Sequence, residues 1–119
     1  GSVVVREEFL RGDPQVVEQF LRASYKGLRY AVERRAGVIA VLMRNLKIKE
    51  DLATRGYDAA RPALTADGSF SDESQKKAVD IVVKSAGTQD TPPPERFFSF
   101  VLNKKVANEL LAKGWKPGA

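Results

Sequence analysis

The chain contains no cysteine and no histidine, and only one methionine and one tryptophan in its 119 residues. Without cysteine there is no disulfide, no thiol nucleophile and no thiolate metal ligand. Without histidine, imidazole metal sites and His-based triads are excluded as well. Any catalysis would have to rest on carboxylates, lysines, tyrosines or serines, and the residues point to no enzyme, cofactor or metal. The lack of cysteine assigns no compartment, since such a chain suits cytosol and periplasm alike. Long hydrophobic runs are missing too. A stretch such as Gly37-Val38-Ile39-Ala40-Val41-Leu42-Met43 falls far short of the roughly 20 residues that a membrane span needs.

What is there is the composition of a globular domain with a modest core, 43% of it hydrophobic. The net charge of +5 comes from 20 basic and 15 acidic residues. A basic balance favours anionic partners, but these cations are dispersed. Arg34-Arg35, Lys76-Lys77 and Lys104-Lys105 each read as a solvated helix face, so no nucleic acid is expected. Gly1-Ser2 reads as a remnant of tag cleavage, leaving 3–119 as a single segment.

Punctuation and periodicity predict a mainly α fold, a compact bundle of about five helices with a short N-terminal strand. The β-branched triplet Val3-Val4-Val5 suits a strand, though one without a visible partner. Asp13-Pro14 is a helix start, with Asp13 as cap and Pro14 in the first turn. Val17, Phe20, Leu21, Leu28, Ala31 and Val32 then recur at helical spacing and predict a helix from about Pro14 to Arg34. Gly27 lies inside it and costs roughly 1 kcal/mol relative to Ala, which close packing against another helix would offset. Further helices are expected over about Ala36–Leu46 and Lys49–Arg61, the latter stopped by Pro62. Asp67-Gly68 marks a turn. Ser71 caps a helix over about Asp72–Ala86, with Ala78, Val79, Ile81, Val82 and Ala86 as its apolar side and Gly87 as its left-handed stop. Three prolines, Pro92 to Pro94, enforce an extended linker. Asn103 is the expected cap of a last helix over about Lys104–Lys113, ended by Gly114.

The candidate sites are each explained by structural roles. Glu7-Glu8, Glu50-Asp51 and Asp72-Glu73 stand at helix starts, where they complement the dipole, and adjacent helical residues point apart, which ill suits a shared acid–base site. The run from Asp67 to Glu73 lacks the ligand spacing of a calcium loop. Lys76, Lys77 and Lys84, and likewise Arg22, Lys26 and Arg29, lack an accompanying phosphate loop. Phe97, Phe98 and Phe100, with Trp115, would stack on a planar ligand or, more simply, pin the proline linker to a core. Tyr25, Tyr30 and Tyr57 read as packing residues.

The order of these segments resembles the C-terminal part of periplasmic solute-binding proteins of ABC importers, of the nitrate/sulfonate/taurine and thiamine-precursor type. The resemblance is carried by "VVVREEFLRGDPQVVEQFLRASYKGLRYAVE", "YDAARPALTADGSFSDESQKKAVDIV" and "TPPPERFFSF". Within the first, the matching residues are Glu8, Phe9, Leu10, Pro14, Val17, Phe20, Leu21, Ala23, Gly27, Tyr30 and Ala31. Within the second they are Tyr57, Arg61, Pro62, Leu64, Thr65, Asp67, Gly68 and Ser71. The resemblance implies the helical C-terminal part of a two-lobe receptor that captures a small solute outside the cytoplasm and delivers it to ABC permease subunits. It implies that the ligand-contacting residues lie in the lobes, so none is assigned here. It also implies that surfaces made to cover a lobe are exposed in this segment and support homo-oligomers. Two alternatives stand beside it. One is the scaffold of a related thiamine-pyrimidine synthase-like enzyme, whose chemistry would sit elsewhere. The other is a standalone basic helical module for nucleic acid.

Overall fold

The computed structural model describes residues 3–118, so Gly1 and Ser2, expected to be a tag remnant, lie outside the described residues. Six α-helices follow one another: α1 (Glu7–Gly12), α2 (Pro14–Glu33), α3 (Arg35–Leu46), α4 (Glu50–Ala60), α5 (Asp72–Ala86) and α6 (Val101–Ala112). Short 3-10 turns at Arg61–Ala63 and Pro94–Arg96 break the chain at the proline positions. No strand occurs among the described residues, and Val3, Val4 and Val5 are irregular and solvent-exposed instead. The expected strand fails for a physical reason: its backbone groups have no second strand to pair with. Regular structure begins only after it, with the short helix α1 that starts in the polar Glu7-Glu8 pair.

Several helix ends obey the local chemistry. Pro14 opens α2. The Ser71 hydroxyl accepts the Ser74 N–H at 3.2 Å, satisfying one of the free amides that begin α5. Gly87 adopts φ 67°, and its N–H and that of Thr88 close on Lys84 and Val83 carbonyls. Two expected caps are corrected. Asp13 makes no side-chain cap bond, because it ends α1 as well as starting α2 and its backbone N–H is bonded to the Phe9 carbonyl. Asn103 lies inside α6, which begins at Val101. Gly27 has open space around it, so no close packing compensates for it there. The close approach is at Gly37, where the Tyr30 ring occupies the space that a Cβ would need.

Packing divides the interior in two. In the first core, α2 lies on α6, and Tyr25, Val106, Ala107 and Leu110 are buried with Leu21 and Trp115 packed against them. Val106 is fully buried. In the second, the α3–α4 hairpin buries Ile39, Ala53 and Tyr57, flanked by Val38, Leu42, Met43 and Ile48. The two cores meet at the α2–α3 joint, where Arg34 alone interrupts the helix. Two hydrogen bonds clasp that joint. The Tyr57 hydroxyl donates to the Ala31 carbonyl at 2.7 Å, and the Arg34 guanidinium donates to the Pro117 carbonyl at 2.9 Å. The tail reaches Arg34 because Gly114, at φ 64°, folds it back over α6.

The expected compact bundle is therefore an open one. The radius of gyration is 16.9 Å, against about 13.5 Å for a compact domain of this length. Of the residues expected inward, Val17 and Val79 are buried, but Phe20, Ile81 and Val82 are exposed. α5 rests on the Pro94–Arg96 turn with one flank and leaves the other uncovered.

Candidate functional site

The α3–α4 hairpin carries the most distinctive surface. α3 contributes Val38, Leu42 and Leu46, and α4 contributes Leu52 and Tyr57 to an apolar groove of about 350 Å³. Ala53, Gly56 and Ala60 recur along the same side of α4, and their small side chains give the groove its depth. Ala31 of α2 and Leu64 beyond α4 complete the wall. Leu46 and Leu52 are 60% and 50% exposed at its mouth.

The stretch that contains this hairpin is basic. Positions 34–64 hold seven cations and three acids, a net +4 within a chain whose total is +5. Some of these cations are engaged. Arg35 makes a two-pronged bond to Asp58 at 2.9 and 2.7 Å that ties α3 to α4, and Arg55 pairs with Asp51. Arg44, Lys47 and Lys49 have no acidic partner among the described residues. Lys47 and Lys49 flank the groove residues Leu46 and Ile48 in the α3–α4 turn. Lys47 there adopts φ 53°, a left-handed conformation that ends α3.

A second hollow of about 390 Å³ lies between α2, α6 and the Asp67 turn. Tyr25, Arg29, Lys104 and Asn108 line it together with Asp67. Three of its polar groups, Tyr25, Arg29 and Asp67, are already engaged in hydrogen bonds. Arg29 bonds Glu33 and the Tyr25 hydroxyl, and Asp67 accepts both the Ser69 hydroxyl at 2.6 Å and the Ser69 N–H at 2.9 Å. Those Ser69 bonds hold the Asp67 carboxyl below its ordinary range. The Asp67 carboxylate is thus a turn-former. Among the described residues no three acidic side chains gather as a metal site would require.

The other sequence-derived candidates are dispersed. All three acidic pairs stand in first helical turns. Arg22 bonds Glu109 across α2 and α6 at 2.6 Å, Lys77 pairs with Glu73, and the Lys26 ammonium lies 5.7 Å from the centre of the Trp115 ring. Phe98 and Phe100 pack edge-to-face on Phe70, at 5.1 and 5.2 Å between ring centres. Phe97 points away, 58% exposed, and Trp115 belongs to the α2–α6 core, so the four aromatics do not converge on one ligand surface. Phe70 was the missing member. Its place between the Gly68 turn and the Ser71 cap was its only sequence signal. The groove was equally hard to read, because its small residues look like ordinary helix formers.

Carboxylates tie both cores, and this makes stability acid-sensitive. The Arg35 bond holds the Asp58 carboxyl below its usual value of 3.8, and the Arg22 bond holds Glu109 below 4.5. A depressed folded-state pKa adds stability that is complete above the unfolded value and is lost as pH falls through the folded one. Thermal melts are therefore expected to be level from neutrality to about pH 5 and to fall below about pH 4. In the Asp58→Asn, Glu109→Gln double variant the neutral-pH melting temperature drops toward the acid value and the slope flattens. An unchanged slope in that variant would refute the assignment.

No protein-family model, curated protein or solved structure matches the chain. No helix among the described residues is long and apolar enough to cross a membrane.

Proposed function

We propose that the chain is the helical C-terminal part of an extracytoplasmic solute-binding protein that captures a small molecule and delivers it to the permease of an ABC importer. One observation carries this reading: the helices leave broad apolar faces uncovered around two small cores. Phe9, Val16 and Phe20 on α1 and α2, and Ile81 and Val82 on α5, are 44–65% exposed. Val16 and Phe20 stand one helical turn apart, and exposed apolar side chains placed together in this way favour a face made to be covered. The segments of the resemblance also keep their order as structural joints. Pro14 opens α2, Arg61-Pro62 closes α4, Asp67-Gly68 makes the turn and Ser71 caps α5. In this reading the solute is held by lobes encoded before Val3, and the present chain supports them.

The test is to express the coding region together with whatever precedes Val3 and to record melting temperature against sulfonates, nitrate, pyrimidines and aromatic acids. The longer product is expected to be stabilised by one solute class, and the 119-residue chain by none. The isolated chain is expected to self-associate through its uncovered faces in light scattering. An upstream region without two α/β lobes, or a strictly monomeric isolated chain at high concentration, counts against the reading.

A further inference from the structure

We propose that the α3–α4 groove docks an acidic amphipathic helix of a separate partner polypeptide. The inference goes beyond the solute-receptor reading and does not depend on it, since every residue it uses lies in this chain.

Shape comes first. Two packed helices leave a furrow between them that a third helix can fill, its ridge of side chains entering the groove. The groove here is concave and lined by carbon, with Leu42, Leu46, Leu52 and Tyr57 around a floor of Ala53 and Gly56. α3 and α4 have 12 and 11 residues, so the matching occupant is a helix of about three turns. Flat lipid surfaces call for a convex apolar face, and this one is hollow.

Charge then selects the kind of helix. Arg44, Lys47 and Lys49 are without acidic partners and stand around the α3–α4 turn, beside lining residues Leu46 and Ile48. The hairpin from Arg35 to Ala60 carries five cations and three acids, a net +2. A partner with leucine-like residues on one face and carboxylates on its flanks satisfies both features, and a cationic helix is repelled. A second copy of this chain fits less well. Its exposed apolar helix face at Ile81 is flanked at helical spacing by Lys84 and by Lys77, which holds Glu73, so it offers the groove's cations no free carboxylate at that spacing.

The test uses the full chain and two fluorescein-labelled peptides of about three turns. Both carry leucines at i, i+3 or i+4, and i+7; one has glutamate at the flanking positions and the other lysine. Fluorescence anisotropy is expected to show the glutamate peptide binding at least about ten-fold more tightly, with the difference shrinking as salt is raised. Lys47→Glu with Lys49→Glu is expected to abolish that preference. Leu52→Ser is expected to weaken glutamate-peptide binding about ten-fold. Leu52 is half exposed, so the variant keeps its helical circular dichroism, which is recorded alongside. Equal affinity for the two peptides overturns the proposal, as does glutamate-peptide binding that Leu52→Ser leaves intact. Two further results overturn it: stronger adsorption to phosphatidylserine vesicles through the same residues, and self-association that Leu52→Ser abolishes.

Discussion

Tyr57→Ala is expected to leave the chain without a stable fold at room temperature. Tyr57 is 6% exposed and is the largest side chain of the α3–α4 core, which buries only Ile39 and Ala53 beside it. Removing a buried aromatic ring costs about 3–5 kcal/mol. The same substitution deletes the hydrogen bond to the Ala31 carbonyl, one of two clasps on the α2–α3 joint, worth about 1 kcal/mol. Typical domains have only about 5–15 kcal/mol in total, and a chain with two small cores stands near the low end. Tyr57→Phe separates the contributions. It keeps the ring, loses the clasp and is expected to lower stability by about 1 kcal/mol. Urea titrations followed by circular dichroism check both, and a Tyr57→Ala protein that still melts cooperatively near the wild-type temperature would contradict the account.

The second large effect belongs to the other core. Val106 is fully buried, in the middle of the α2–α6 contact with Tyr25 and Leu110. Val106→Asp places a carboxylate where no donor or cation stands ready, and no buried polar or charged residue exists in the described interior to receive it. Such a charge without a partner costs several kcal/mol. The expected result is loss of the cooperative thermal transition. The α3–α4 hairpin would not survive by itself, because a unit below about 40 residues rarely holds a core alone. Val101→Asp is the control. It lies on the same helix but is 72% exposed, so its effect is expected to stay within about 0.5 kcal/mol. Comparable losses in the two variants would show that α2 and α6 do not meet as described.

The elements were largely legible in the sequence because their ends are written in short-range chemistry. Pro14, the Ser71 hydroxyl, Gly87 and Gly114 each act within a turn of their own position, and each does so in the structure. Errors appeared where a local signal depended on something distant. Val3 to Val5 have the composition of a strand but no neighbour to pair with. Asp13 had a second commitment to α1. The start of α6 is set upstream of Asn103, where Phe98 and Phe100 settle on Phe70. The division into two cores was not legible at all. Periodicity says which residues share a helix face but not which faces meet, and α2 uses its length to meet α6 and α3 in turn. The groove followed from that division, since its walls come from three helices.

The Phe70 contacts carry a further consequence. The chain leaves the Asp67 turn at Phe70, runs out through α5 and the prolines, and returns to the same ring with Phe98 and Phe100, about 5 Å away. Everything between them is a closed excursion fastened at its neck. Neither core draws a buried residue from it. Lengthening such an excursion even two-fold adds only about 0.6 kcal/mol of closure entropy. That makes it the natural docking bay for inserted sequence: a tag, a sensor domain or a longer helix can be spliced in between the clasped phenylalanines while the rest of the molecule keeps its shape.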